Sequence, residues 1–477
     1  MTTSETIICS GTNMNSVALQ MLRLSLVLFV AGLAFGVVAA FVFLDDGTYK
    51  SIMPFQELRP IHVSAAVFWI LTSSIGGLLF YVNGDSKQRK YDGLLLKIAF
   101  TLWLLAIVSI ITNLACGNFG GRKYWEFPPI LAVPVLLSWM LFAAVYFGRI
   151  LSAHGKKAPV YVWMWSTGMI FFLITFTEAN LWLIPWFREN IVRDITVQWK
   201  ANGAIVGAWN QIVYGTAIYL MTKIEGDDRI AFKWQSFFFY FLGLTNLMFN
   251  WGHHIYNIPA APWIRDISYA ISMTEWVLLI NIMRSFKSKL GEAQRLANIL
   301  PYRFLLASEI WVFLNLVLAI LISIPAVNIF THGTHVTVAH AMGTSIGINT
   351  MILFASLAYI LEIRNPKLLA GNATLITGLL CAAHMALLVF WIALITAGVT
   401  KGYQIVLNHL PFETVMAMIR GELYVFSFSG VIVALALGAI SFLFLRLFFL
   451  DSQKTREALG VKFHSRKLFP RRSVTPS

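Results

Sequence analysis

Ten histidines stand among the 477 residues, and the residues around several of them are of the kind that bind metals or haem iron. His253 and His254 are adjacent, in Trp251-Gly252-His253-His254. Consecutive residues of an α-helix point ~100° apart, so both imidazoles reach one metal only where the backbone loosens, as it can beside Gly252. The other reading is a pair of hydrogen-bonded histidines at a membrane interface. Further on, Thr331-His332-Gly333-Thr334-His335 leads into His340-Ala341-Met342. His340 and Met342 lie ~200° apart around one helix, so each can ligate a different planar cofactor on either flank. Histidine and methionine both serve as axial haem ligands, while a single methionine on an apolar helix is more often packing. In Arg59-Pro60-Ile61-His62 the first and last residues share a helix face at i, i+3. That geometry suits a haem ligand with a guanidinium near the propionates, and equally an interfacial anchor.

The elements that must position these side chains are apolar. The chain is 58% hydrophobic and 12% charged, against roughly a quarter charged in soluble domains. A bilayer core of ~30 Å needs about 20 apolar residues per helical span. Twelve such stretches begin near Leu24, Ile61, Ile98, Ile130, Tyr161, Ala201, Gln235, Ile267, Tyr302, Val336, Thr374 and Leu423. The expectation is an all-α polytopic bundle of about twelve transmembrane helices. It divides into a cytoplasmic segment 1–23, a membrane domain 24–450 and a basic cytoplasmic tail 451–477. With the N-terminus inside, 26 of the 36 Lys and Arg fall on the cytoplasmic side, the asymmetry of an inner (cytoplasmic) membrane protein with both termini inside. Basic loops beside anionic lipid account for the net charge of +14, which is therefore no argument for nucleic acid. On the same topology His62, His253, His254, His332, His335, His340 and His409 gather in or near the outer third, His384 is mid-span, and His154 and His464 are cytoplasmic. Ionisable side chains inside spans are costly, which marks them as functional candidates. Cys9, Cys116 and Cys381 form no CxxC or CxxCH pattern, which argues against covalent haem c and a two-cysteine copper site. Nor is there a nucleotide-binding glycine loop.

His62, the His253-His254 pair and His340, taken together, resemble the ligand framework of the haem-copper oxidase superfamily. Their surroundings are most similar to the large catalytic (cytochrome b) chain of bacterial nitric oxide reductases. The resemblance runs along nearly the whole chain. It rests on Arg59-x-x-His62, Gly121-Arg122-x-Tyr124-x-Glu126-x-Pro128, Gly252-His253-His254, Thr331-His332-Gly333-Thr334, Ala339-His340, and Glu275 placed 21 residues after His254. It implies a low-spin haem b on His62, a high-spin haem b3 on His340, and a non-haem iron, or copper, on His253 and His254. Two NO molecules, two electrons and two protons would give N2O and water there. Glu275, Glu126 and Arg122 would deliver protons or steady charge near the haem propionates, with Arg59 beside the low-spin haem.

Three positions depart from the family pattern. Asn202 falls where its third metal-binding histidine stands, Val206 where a glutamate ligand stands, and Met342 where the second low-spin haem histidine stands. Asparagine offers a neutral oxygen and valine offers nothing, so the metal is expected to have fewer or weaker protein ligands. Lys123 replaces an acid associated with calcium in the family, so no calcium is expected. The alternatives are an enzyme dismutating NO to N2 and O2, an oxygen reductase, and a haem-bearing paralogue without catalysis. Oxygen-reducing relatives carry a tyrosine where Val206 or Leu247 stands here. The expected partners are NO, the lipid bilayer and a separate electron donor such as a cytochrome c.

Overall fold

The computed structural model describes the backbone of residues 3–45, 47, 49–51, 53–85, 89–154, 158–296 and 299–450. The basic tail 451–477, together with Lys87, Lys156 and Lys157, lies outside the described residues, as do the side chains of Cys9 and His154. Each of the twelve apolar stretches is helical. They form α1 (Thr3–Leu44), α2 (Phe55–Asp85), α3 (Asp92–Ala115), α4 (Ala132–His154), α5 (Val160–Glu178) and α6 (Ile191–Glu225). The second half comprises α7 (Trp234–Phe249), α8 (Glu275–Leu296), α9 (Leu300–Ser323), α10 (His335–Arg364), α11 (Pro366–Val406) and α12 (Arg420–Leu450). Among the described residues there is no strand, only a backbone bridge between Arg122 and Trp125.

Nine of these helices, α1 to α5 and α9 to α12, are long and apolar enough to cross a membrane. The three that fall short are consecutive. α6 carries Arg193, Asp194 and Lys200, α7 is 16 residues long, and α8 carries Glu275, Arg284 and Glu292. The eighth stretch is also divided, which corrects the start expected near Ile267. A separate helix, Pro262–Met273, stops at Thr274, and α8 begins afresh at Glu275. The Thr274 hydroxyl donates to the Ile271 carbonyl at 2.6 Å, a local side-chain bond that competes with the continuing helix.

Neighbours in sequence pack as neighbours in space: α1 on α2, α3 on α4, α5 on α6, and α11 on α12. α12 returns to α1, and α9 lies along α10. Lipid tails are as apolar as leucine, so helices in a bilayer associate through close packing and polar contacts. One such contact is an ion pair between Asp92 of α3 and Arg149 of α4, 3.0 Å apart with side chains 4% and 1% exposed. Removing one partner of a buried pair like this costs about 3–5 kcal/mol.

α10 is not uniform. After His335–Met342 it widens into a π-helical segment, Gly343–Thr350, before resuming as Met351–Arg364. Such segments are rare and concentrate at functional sites.

Candidate functional site

His62, His253, His254, His332, His335 and His340 lie toward one end of the bundle, the histidine end. The loops containing Arg89, Arg229 and Arg364 lie at the other, the basic end. The backbone carrying the histidine pair is no longer α-helical: the helix ends at Phe249, whose φ is −131°. Residues Asn250–Ile255 form a 3-10 turn directly after α7, which is tighter than an α-helix at three residues per turn. The departure from α geometry begins at Phe249, ahead of Gly252. The imidazoles come together at 4.1 Å between centroids and are tilted by 42°.

Asn250 is the hub of this turn, and nothing in the family pattern had marked it. Its Oδ1 faces Nδ1 of His253 at 2.9 Å and also accepts from the Ser272 hydroxyl. Its Nδ2 donates to Oε1 of Glu275 at 3.1 Å. Because Oδ1 is an acceptor, the His253 ring must present Nδ1–H to it, which leaves the Nε2 lone pair for a metal. That Nε2 is buried without a protein partner, as are His254 Nδ1, Asn202 Oδ1 and Glu275 Oε2. Buried polar atoms are nearly always satisfied, so these four are what a metal, its bound water or a substrate would engage. Among the described residues no three His, Cys, Asp or Glu side chains gather closely enough to hold a metal. Beside the two histidines, Asn202 Oδ1 is the neutral oxygen among these unpartnered atoms.

Trp199, also unmarked in the sequence, lies one helical turn before Asn202 on α6. Its indole stacks on His254 at 4.6 Å and 13°, and the Lys123 ammonium sits 4.6 Å over the same indole. The Lys123 backbone carbonyl accepts from Asn202 Nδ2 at 3.3 Å. Desolvation, and then the Arg59 guanidinium, hold the Lys123 ammonium below the usual lysine range, while Glu126 pulls it back. The loop owes its shape to Tyr124, whose φ of +74° is strained for a residue with a side chain. The chain doubles back there, with Trp125 N–H donating to the Arg122 carbonyl at 2.8 Å. Glu126 then meets Arg59 at 2.5 Å and Arg122 meets Asp194 at 2.6 Å. Arg59 and Glu126, treated separately in the sequence, are thus one ion pair. Asp194, the partner of Arg122, carried no signal beyond its charge in a mainly apolar stretch.

On the haem side, His62 Nδ1 bonds to the Gly32 carbonyl at 2.7 Å, which again leaves Nε2 as the lone-pair donor. A Cβ on Gly36 would stand 2.7 Å from the His62 ring, so glycine is what allows α1 to approach it. The backbone of His340 is pinned by Asn315 of α9, which donates to its carbonyl at 3.1 Å and to the Thr344 hydroxyl at 2.8 Å. His340 Nδ1 is buried without a partner. Met342 packs against the apolar core from the last turn before the π segment. These residues fit axial haem ligation in donor type, and the His62 ring is held in place by the Gly32 carbonyl. If His62 and Met342 share a haem, the ferric protein is expected to display the long-wavelength Met-to-iron absorption, and Met342→His should abolish it. A bis-histidine or five-coordinate spectrum in the unsubstituted protein would defeat that pairing.

A twelve-helix bundle with clustered histidines and buried carboxylates at one end defines the class. The chain belongs to the family described as cytochrome c and quinol oxidase polypeptide I, whose profile matches residues 16–433. It is 22% identical over 365 residues to a nitric oxide reductase subunit of Stutzerimonas stutzeri, covering 70% of this chain and 73% of that one. It is 24% identical over 365 residues to the cytochrome c oxidase subunit 1 of Rhodobacter capsulatus, covering 72% and 65%. The CcoN1 subunit of a cbb3-type cytochrome c oxidase of S. stutzeri matches at 22% over 323 residues, covering 64% of this chain and 66% of that one. Among solved structures, a haem-copper terminal oxidase superposes with a TM-score of 0.67 at 16% identity, covering 92% of this chain and 84% of that one, which establishes the shared fold. The chain is thus a multi-pass membrane member of the haem-copper oxidase superfamily. This superfamily comprises respiratory oxidoreductases that bind haems with a copper or iron centre.

Proposed function

We propose that this protein reduces nitric oxide to N2O at a haem b3 and non-haem metal centre, with a low-spin haem b feeding it electrons. The observation that carries the reading is the chain His253–Asn250–Glu275, in which a buried carboxylate shares one amide with a candidate metal ligand. Reducing two NO to N2O and water consumes two electrons and two protons, so a carboxyl beside the pocket has work to do. When bound, the haem iron and the second metal would supply open coordination positions that hold a diatomic gas and pass electrons to it. The protein's own residues do the rest. Asn250 fixes the tautomer and plane of His253. Glu275 holds a proton through its unpartnered Oε2. Arg59 with Glu126, and Arg122 with Asp194, place guanidinium groups suited to propionates while offsetting part of their charge. His253, His254 and Asn202 would hold the metal, iron or copper, His340 the high-spin haem, and His62 with Met342 the low-spin haem. Electrons would come from a separate donor such as a cytochrome c, with both chain termini on the cytoplasmic side.

Oxygen reduction is the competing reading, supported by the oxidase relatives. Against it, Val206 and Leu247 stand where oxygen-reducing enzymes of this kind carry a tyrosine. Headspace mass spectrometry after supplying isotopically labelled NO separates the readings. N2O is the expected product. Labelled N2 with O2 would instead indicate dismutation, consumption of O2 but not NO would indicate an oxidase, and no gas chemistry from fully haem-loaded protein would overturn catalysis.

A further inference from the structure

His384 stands midway along α11, and neither the haem nor the metal reading uses it. A titratable ring at that depth is costly, so its presence asks for a reason. Its Nε2 is buried without a protein partner. Among the described residues its one side-chain hydrogen bond is at Nδ1, which accepts from Trp311 Nε1 of α9 at 2.8 Å. Because the indole can only donate, the His384 ring is neutral, with its lone pair at Nδ1 and its proton on Nε2. Its polar work is thus to accept from one tryptophan. A hydrocarbon side chain would fill the same space but leave a buried indole N–H unsatisfied.

That tryptophan is wedged between two helices. Trp391, two turns beyond His384 on α11, meets the Trp311 indole edge-on, with centroids 6.0 Å apart and planes at 82°. On the α10 side a Cβ on Gly347 would stand 2.5 Å from the indole ring, so only glycine lets the backbone come this close. Asn315 follows Trp311 at i+4 and so shares its face of α9. A Cβ on Gly343 would likewise collide with Asn315 Oδ1. Gly343 and Gly347 both belong to the π-helical segment, so the Trp311–Asn315 face of α9 is pressed directly onto it. Asn315 Nδ2 also holds the His340 carbonyl and the Thr344 hydroxyl. The wide pitch is a rare conformation, and His340 stands three residues before it. How the segment is held therefore sets the direction in which the His340 imidazole leaves the helix.

We infer that His384 is a positioning residue for His340. By accepting the Trp311 N–H it locks the indole against Gly347, and the face of α9 fixed in this way keeps Asn315 on the His340 carbonyl. α11 thereby braces, through α9, the π-helical turn that carries the candidate ligand. No proton, electron or bond changes hands in this role; what it sets is the angle of one imidazole. The inference rests on His340 being the ligand of the high-spin haem and requires no choice of gas.

The test is resonance Raman spectroscopy of the full-length, haem-loaded protein in its ferrous state, where the iron–histidine stretching band reports the length and tilt of that bond. His384→Leu is expected to move the band to lower frequency and to broaden it, with both haems retained. His384→Asn, whose Oδ1 offers an acceptor in place of Nδ1, should restore the band. Gly347→Ala pushes the indole away without altering a polar group and should shift the band as His384→Leu does. Trp311→Phe, which keeps a ring and removes the N–H, is read in the same way should His384→Leu fail to fold. An unchanged band in either folded variant overturns the inference. A shift that His384→Asn does not reverse also overturns it, since the histidine would then act by packing alone. His340→Ala separates the underlying assignment: the band should vanish, and a band that persists would remove His340 as the haem ligand and the inference with it.

Discussion

His253→Ala protein is expected to keep its haems and to lose about one equivalent of iron or copper, with N2O production falling more than about 100-fold. The magnitude follows from where the imidazole stands. Losing a residue that merely orients a ligand costs roughly 10–100-fold in affinity or activity, and His253 is the candidate ligand itself. Its Nδ1 is committed to Asn250 and its Nε2 is buried without a partner. With only His254 and the weak oxygen donor Asn202 remaining, the metal has little to hold it. Haem content should survive, because His62 and His340 are anchored independently through Gly32 and Asn315. Metal analysis beside haem absorption checks this. Full metal occupancy in the variant would place the metal elsewhere, and concurrent haem loss would point to a folding defect.

Glu275→Gln is expected to lower N2O production about 100-fold while leaving metal and haem content intact. A positioned proton donor or acceptor typically contributes ~10²–10⁴-fold. Glutamine has the same shape and retains an oxygen to accept from Asn250 Nδ2, so the hub geometry should persist and only the transferable proton is lost. Glu275→Ala should be no better in rate and should also disturb His253, because Asn250 would lose the acceptor for its amide. A glutamine variant with undiminished turnover would remove Glu275 from the chemistry.

Much of the fold was legible because apolar runs of bilayer length leave little choice. All twelve stretches became helices, and the family profile confirms the class. The failures were local. The break at Thr274 coincides with a hydroxyl bonded to its own backbone, which hydropathy does not register. The 3-10 turn at Asn250–Ile255 and the π segment at Gly343–Thr350 are changes of helical pitch inside continuous patterns, and a pattern read at 3.6 residues per turn passes over both. Within the site, histidines and glutamates stood out because they are costly in a membrane. Asn250 and Trp199 did not, since an amide and an indole among apolar neighbours look like ordinary packing until a partner from a distant segment is known. Asn250 takes on its role only when Ser272 and Glu275 are folded back against it.

The three consecutive helices too short or too polar to cross a membrane by composition alone, α6 to α8, also carry Asn202 and Glu275 and flank Asn250 and the histidine pair. A segment enters the bilayer during synthesis largely on its own apolarity, and each centrally placed charge opposes it by about 2.5–3.5 kcal/mol. Residues 191 to 296 therefore have the weakest individual claim to the membrane and depend most on helices already there to receive them. The candidate site would be among the last parts of the protein to be built. Defects in cofactor supply or in neighbouring helices would then surface first as failed biogenesis of this one stretch, before any fault in the finished enzyme could be measured.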